Sequence, residues 1–157
     1  MTTNADMLFV DTNILIYATD PQSPWHTAAE QALEQAQRAD QLLCISQQVV
    51  REYLAAATRP TLNSSVNIDD IIQNIVLFRA AFVVLDDSPR VLDHLVDLVR
   101  TTVVAGRQIH DANIVATMQA HNLRRLLTHN TQDFARYATR IEVVPLESPH
   151  PNPITPL

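Results

Sequence analysis

Asp11 closes the apolar run of residues 7–10 and is followed at once by Thr12 and Asn13. Three polar side chains therefore stand where a buried strand would hand over to a helix. In an open α/β sheet that position faces the ligand crevice, although Asp11 or Thr12 could instead do no more than cap the helix. Glu52 has Val49, Ala55 and Ala56 three and four residues away on its helix, an apolar setting in which a carboxylate is costly to desolvate. Asp111 is flanked in the same way by Ile114 and Val115. It falls in a first helical turn, where dipole compensation alone would also account for it. Asp133, ahead of Phe134, reads either as a helix-start residue or as a further acid of the same group.

Carboxylates gathered at the ends of separate elements repel each other by roughly 4 kcal/mol per pair at 4 Å and an effective dielectric of 20. A cation must offset that repulsion, and it is not lysine, because all 11 basic side chains are arginine. With only oxygen ligands on offer, the expected cation is a hard dication, Mg²⁺ or Mn²⁺, that keeps several of its waters. Such an ion activates water and stabilises a phosphodiester undergoing in-line displacement, so these residues point to hydrolysis of nucleic acid.

Composition narrows the alternatives. The 157 residues contain one glycine, Gly106, which excludes a dinucleotide-binding fingerprint, a P-loop and a nucleophile elbow. The absence of lysine removes Schiff-base chemistry and argues against a phosphoacceptor receiver domain. Cys44 is alone, so neither an internal disulfide nor a cysteine-rich zinc site can form. The net charge of -6 argues against a broad basic nucleic-acid footprint, though a local arginine patch and a bound metal can reverse the sign where it matters. No apolar stretch approaches the roughly 20 residues of a membrane helix, and the first six residues lack a basic signal region. A cytoplasmic protein is expected.

The elements that must position these residues follow from periodicity and punctuation. Strands are expected at residues 7–10, 42–46, 82–85, 126–127 and 141–146. Helices are expected at 12–18, at 24–38 with Ser23 as N-cap and Pro24 at its first position, and at 47–58. Further helices are expected at 68–80 capped by Asn67, at 89–102 opened by Pro89, and at 109–122 after a turn at Gly106. A short helix should end near Tyr137. In the helix at 109–122, Ile109, Ala112, Ala116 and Ala120 form one apolar stripe. Strands separated by helices imply crossovers and a mostly parallel sheet in an α/β fold, with functional groups at the strands' carboxyl ends. Residues 1–148 read as a single domain and 149–157, with four prolines, as a tail.

At this point the chain resembles a known family. Phe9-Val10-Asp11-Thr12-Asn13-Ile14-Leu15, the isolated Glu52, Gly106 followed at five residues by Asp111, and Leu127-Thr128-His129-Asn130-Thr131-Gln132-Asp133-Phe134 are similar to the successive motifs of the PIN domain. More narrowly, they resemble those of the VapC-type ribonuclease toxins. The resemblance spans residues 8–146 and rests on the ordered set rather than on any one motif. It implies a three-layer α/β/α sandwich around a parallel sheet and Mg²⁺- or Mn²⁺-dependent endonucleolytic cleavage of RNA. It further implies Asp11, Glu52 and Asp111 as catalytic, metal-binding acids, supported by Thr12, Asn13 and Thr128. Many members carry an aspartate where this chain has Asn130, so the fourth position falls to Asn130, which lends oxygen without charge, or to Asp133. The implied partners are an RNA substrate, a cognate antitoxin that blocks the acidic site, and a second copy of the chain in a homodimer. A PIN-fold module with weakened catalysis, binding RNA or protein without cutting it, is the alternative that Asn130 favours.

The remaining candidates divide more evenly. His110 adjoins Asp111, but adjacent helix residues do not face each other, and metal-bound water needs no histidine base. His26, His94, His121 and His129 read as surface or packing residues. Tyr17 and Trp25 could stack on a base, burial in a helix interface being the commoner fate. Arg100, Arg107, Arg124 and Arg125 either grip phosphates or form a solvated face.

Overall fold

The computed structural model describes residues 6–60 and 66–148, so the proline-rich tail expected at 149–157 lies outside the described residues. Five strands form one parallel sheet: β1 (Met7–Val10), β2 (Leu42–Ser46), β3 (Val83–Leu85), β4 (Arg125–Thr128) and β5 (Glu142–Pro145). They lie in the order β3-β2-β1-β4-β5. Phe9 pairs with Cys44 on one side and Leu126 on the other. β1 is thus the central strand, and Leu8, Phe9 and Val10 are all buried. A parallel strand covered on both faces reads as a continuous apolar run rather than an alternation, which is why residues 7–10 are recognisable in the sequence.

Seven helices are present among the described residues: α1 (Thr12–Thr19), α2 (His26–Arg38), α3 (Gln47–Ala57), α4 (Ile68–Ala81), α5 (Pro89–Thr101), α6 (Gln108–Ala120) and α7 (Thr131–Phe134). A 3₁₀ turn at Ala135–Tyr137 extends the last. Parallel strands need right-handed crossovers, and the sheet is built outward first from β1 to β3 and then from β4 to β5. The helices accordingly form two groups, α1 packing on α2 and α3 with α3 against α4, and α5 packing on α6 with α6 against α7. This is the expected α/β/α sandwich. The direction in which successive strands are added to the sheet reverses between β1 and β4, which makes their carboxyl ends the place where a crevice opens.

Local chemistry explains most boundaries. The Asn67 side chain accepts from the amides of Asp69 and Asp70 and starts α4, Ser46 accepts from Val49 and starts α3, and Pro89 stands in the first turn of α5. Gly106 has φ +55°, and no atom lies within 4 Å of where a Cβ would stand, so the backbone angle alone calls for glycine there. Ser23 departs from expectation. Its hydroxyl accepts from the Trp25 amide and its carbonyl from His26, closing a turn ahead of α2, whose own N-cap is Trp25 without a side-chain bond. The α6 stripe is also wider than its periodicity implies, for Ile114, Val115, Thr117 and Met118 are buried along with Ala112, Ala116 and Ala120, and Ile109 is only half-buried. With α5 and α7 packed against it, α6 has little solvent face left. Phe9, Ile14, Leu15, Ile45 and Leu126 anchor the core at full burial. Truncating Phe9 to alanine would cost about 3–5 kcal/mol. No described helix is long and apolar enough to cross a membrane.

Candidate active site

Asp11 is fixed from both sides of the reversal point. Its amide donates to the Leu127 carbonyl of β4 at 3.0 Å, continuing the β1–β4 pairing by one residue. Its Oδ1 accepts from the Thr12 amide at 2.7 Å, so Asp11 does cap α1, but that uses only one oxygen. The other, Oδ2, accepts from Thr128 Oγ1 at 2.8 Å and from Asn13 Nδ2 at 3.2 Å. The carboxylate is buried and its pKa is pushed up to about 6, chiefly by desolvation. The hydrogen bonds from Thr128, Thr12 and Asn13 pull the other way, and the charge of Glu52 adds to the rise.

Glu52 is held by two neutral donors, Thr12 Oγ1 to its Oε2 at 2.9 Å and Gln48 Nε2 to its Oε1 at 2.8 Å. The Gln48 amide also donates to the His110 carbonyl at 2.9 Å and accepts from Asn113 Nδ2 at 2.6 Å, so it joins α3 to the first turns of α6. Asp111 stands half-buried in that first turn. Its pKa is raised to about 6 by burial and then by the charges of Asp133, Asp11 and Glu52, with His110 opposing. Four acids from four separate segments thus share one electrostatic field. Glu52, Asp111, Asn130 and Asp133 line a groove of ≈ 890 Å³ that Arg51, Arg59 and Arg107 also border. Asn130 is exposed, and its amide donates to Thr128 Oγ1 at 3.0 Å.

The residues suit a hard dication on two counts: every donor is oxygen, and no arginine or histidine forms an ion pair with Asp11, Glu52, Asp111 or Asp133 among the described residues. They do not form a closed cage. No three His, Cys, Asp or Glu side chains among the described residues are placed to hold one ion directly. Glu52 is held by Thr12 and Gln48. The arrangement therefore suits an ion that keeps part of its water shell.

Other candidates are dispersed. The His110 side chain is exposed, and only its carbonyl joins the network. Arg107 borders the groove, whereas Arg124 and Arg125 stand at the start of β4, at the opposite edge of the sheet, where Arg125 faces Glu142 at 3.7 Å. Arg100 lies in the last turn of α5, away from the groove. Sequence reasoning missed Gln48, Asn113, Arg51 and Arg59. The one available signal was spacing, since Gln48 is four residues before Glu52 and shares its helix face.

Comparison with known proteins places the chain among relatives of one family and fold. The PIN domain pattern matches residues 8–140. The chain is 30% identical over 135 residues to ribonuclease VapC24 of Mycobacterium tuberculosis, covering 83% of this chain and 91% of that protein. A toxin-antitoxin complex from Klebsiella pneumoniae contains a chain 26% identical, superimposing with a TM-score of 0.64 over 90% of this chain and 99% of its own. VapBC2 from Rickettsia felis, bound to a DNA fragment from its promoter, shares the fold at 16% identity and a TM-score of 0.64, with the same coverage.

Proposed function

This chain belongs to the PIN domain family, and on that premise we propose that it is a metal-dependent endoribonuclease, the toxin of a VapC-type toxin–antitoxin pair. The observation that carries the proposal is the buried, unpaired Asp11 carboxylate sharing its field with Glu52 and Asp111 beside an open groove. Asp11, Glu52 and Asp111 would hold Mg²⁺ or Mn²⁺ directly or through its waters, with Asn130 and Asp133 at the rim. Bound there, the ion would activate water and offset charge on the phosphodiester. The chain's own groups do the rest. Thr128 and Asn13 keep Asp11 oriented, Thr12 and Gln48 keep Glu52 aimed, and Arg51, Arg59 and Arg107 offer forked donors to backbone phosphates along the groove.

An antitoxin fits the same acids, since a basic side chain entering the groove would satisfy charges that no described arginine or histidine pairs. A homodimer is supported by exposed apolar residues around the edge strand β3: Ile72 and Val76 on α4, Val83 on β3 itself, and Leu92 and Val96 on α5. The binding-only alternative draws on Asn130, which brings no charge to the rim. Incubating the purified protein with total RNA in Mg²⁺, Mn²⁺ or EDTA separates the two. Cleavage with either metal and none with EDTA supports the nuclease, and binding without cleavage in every condition overturns it.

A further inference from the structure

Outside the groove, next to its lining residue Asn130, three aromatic rings meet. His129 follows Thr128 directly, and its ring centroid lies 4.1 Å from that of Trp25, with the planes at 46°. Tyr17 completes the group, its ring 6.4 Å from Trp25 in a stacked arrangement and 5.4 Å from His129 edge-on, with its hydroxyl 2.8 Å from His129 Nδ1. All three remain partly exposed, and none lines the acidic groove. Trp25 is the N-cap residue of α2, and it and Tyr17 pack against the core while keeping part of their surface exposed. The backbone of His129 is joined to the acids twice, through Thr128, which precedes it and donates to Asp11, and through Asn13, whose Nδ2 donates to Asp11 while its Oδ1 accepts from the His129 backbone amide at 3.2 Å.

We infer that the Tyr17–Trp25–His129 cluster is a stacking platform for an unpaired nucleobase next to the scissile phosphate. The inference rests on the ribonuclease reading and adds a subsite to it. Aromatic faces bind bases with little regard to sequence, and a base can lie flat on such a ring only after leaving a duplex. The exposed ring surface and the bridge through Asn13 would set one base at a fixed offset from Asp11.

Trp25 is the only tryptophan in the chain, so its fluorescence reports on the cluster alone. The test uses the full chain carrying Asp11→Asn, titrated at low salt with a fluorescein-labelled single-stranded ribo-oligonucleotide and with an abasic oligomer of the same length and charge. Anisotropy reads binding and tryptophan emission reads stacking. The expected result is saturable quenching by the base-bearing strand only, with Trp25→Ala binding it roughly tenfold more weakly and Trp25→Phe retaining most of the affinity. Both substitutions should leave abasic binding unchanged. Binding of both oligomers without a difference in emission, or equal loss for both in Trp25→Ala, overturns the platform while leaving the nuclease standing. No anisotropy change with either oligomer overturns the ribonuclease reading and the platform with it.

Discussion

Replacing Asp11 by asparagine should abolish cleavage and, in the metal-free protein, raise stability. The folded-state pKa of Asp11 is raised from 3.8 to about 6, so the neutral form is the one the fold prefers. A carboxyl group of this kind contributes its full stability below about pH 3.8 and loses it as pH rises through about 6. A rise of about two pH units corresponds to roughly 3 kcal/mol of burdened native state near neutral pH. Asparagine removes the charge but turns an N–H toward Asn13 Nδ2, which now donates to the carboxylate, and that mismatch returns about 1–1.5 kcal/mol. The remaining gain of about 1.5–2 kcal/mol amounts to a melting temperature some 3–8 °C higher for a chain of this length. Scanning calorimetry in EDTA at about pH 7.5 and again near pH 4 reads both the gain and its disappearance as wild-type Asp11 becomes protonated. A variant less stable than wild type at the higher pH, or a gap of equal size at both, would refute the electrostatic account of this site.

Three further outcomes follow from the same geometry. Saturating Mg²⁺ or Mn²⁺ should stabilise wild type by about 2.7 kcal/mol at a hundredfold excess over Kd and so raise its melting temperature, with no effect on Asp11→Asn, and the concentration required should rise as pH falls through about 6. Isothermal titration checks it, and metal-independent melting would count against the cation. Gln48→Ala leaves Glu52, the His110 carbonyl and Asn113 each short of a partner, so urea unfolding should show a loss of about 2–3 kcal/mol, with cleavage falling further than stability explains. Val96→Glu should convert a dimer to a monomer in light scattering without altering the circular dichroism spectrum, and an unchanged mass would move the dimer interface elsewhere.

The sequence displayed what depends on neighbours along the chain. The apolar runs that became β1 and β2, the cap at Asn67 and the helix-opening Pro89 are local effects, set by burial on both faces, by orphan amides at a helix start and by proline's fixed φ. Asp11 was legible for the same reason, as a charge ending an apolar run. Ser23 misled because a serine before proline can close a turn as readily as it caps a helix, and only the packing of Trp25 decides between them. The breadth of the buried α6 surface was hidden because α5 and α7 cover positions that helical periodicity assigns to solvent. Gln48 was invisible as a site residue because its partners on α6, His110 and Asn113, are 62 and 65 residues distant. Likewise, nothing in the spacing of Tyr17, Trp25 and His129 indicates that their rings meet.

The hydrogen bond from Thr128 to Asp11 spans 117 residues, and it also sets an order of events during synthesis. At about 5–20 residues per second, a ribosome adds Thr128 roughly 6–23 s after Asp11. Until then β1 has no β4 beside it, and Asp11 lacks both the carbonyl that anchors its amide and the hydroxyl that orients its carboxylate. A chain broken off before β4 keeps Asp11 and Glu52 but presents the open edge of its would-be central strand, a state suited to proteolysis and not to cutting RNA. The acidic site is therefore assembled only after β4 has been made, whatever the state of the elements that precede it.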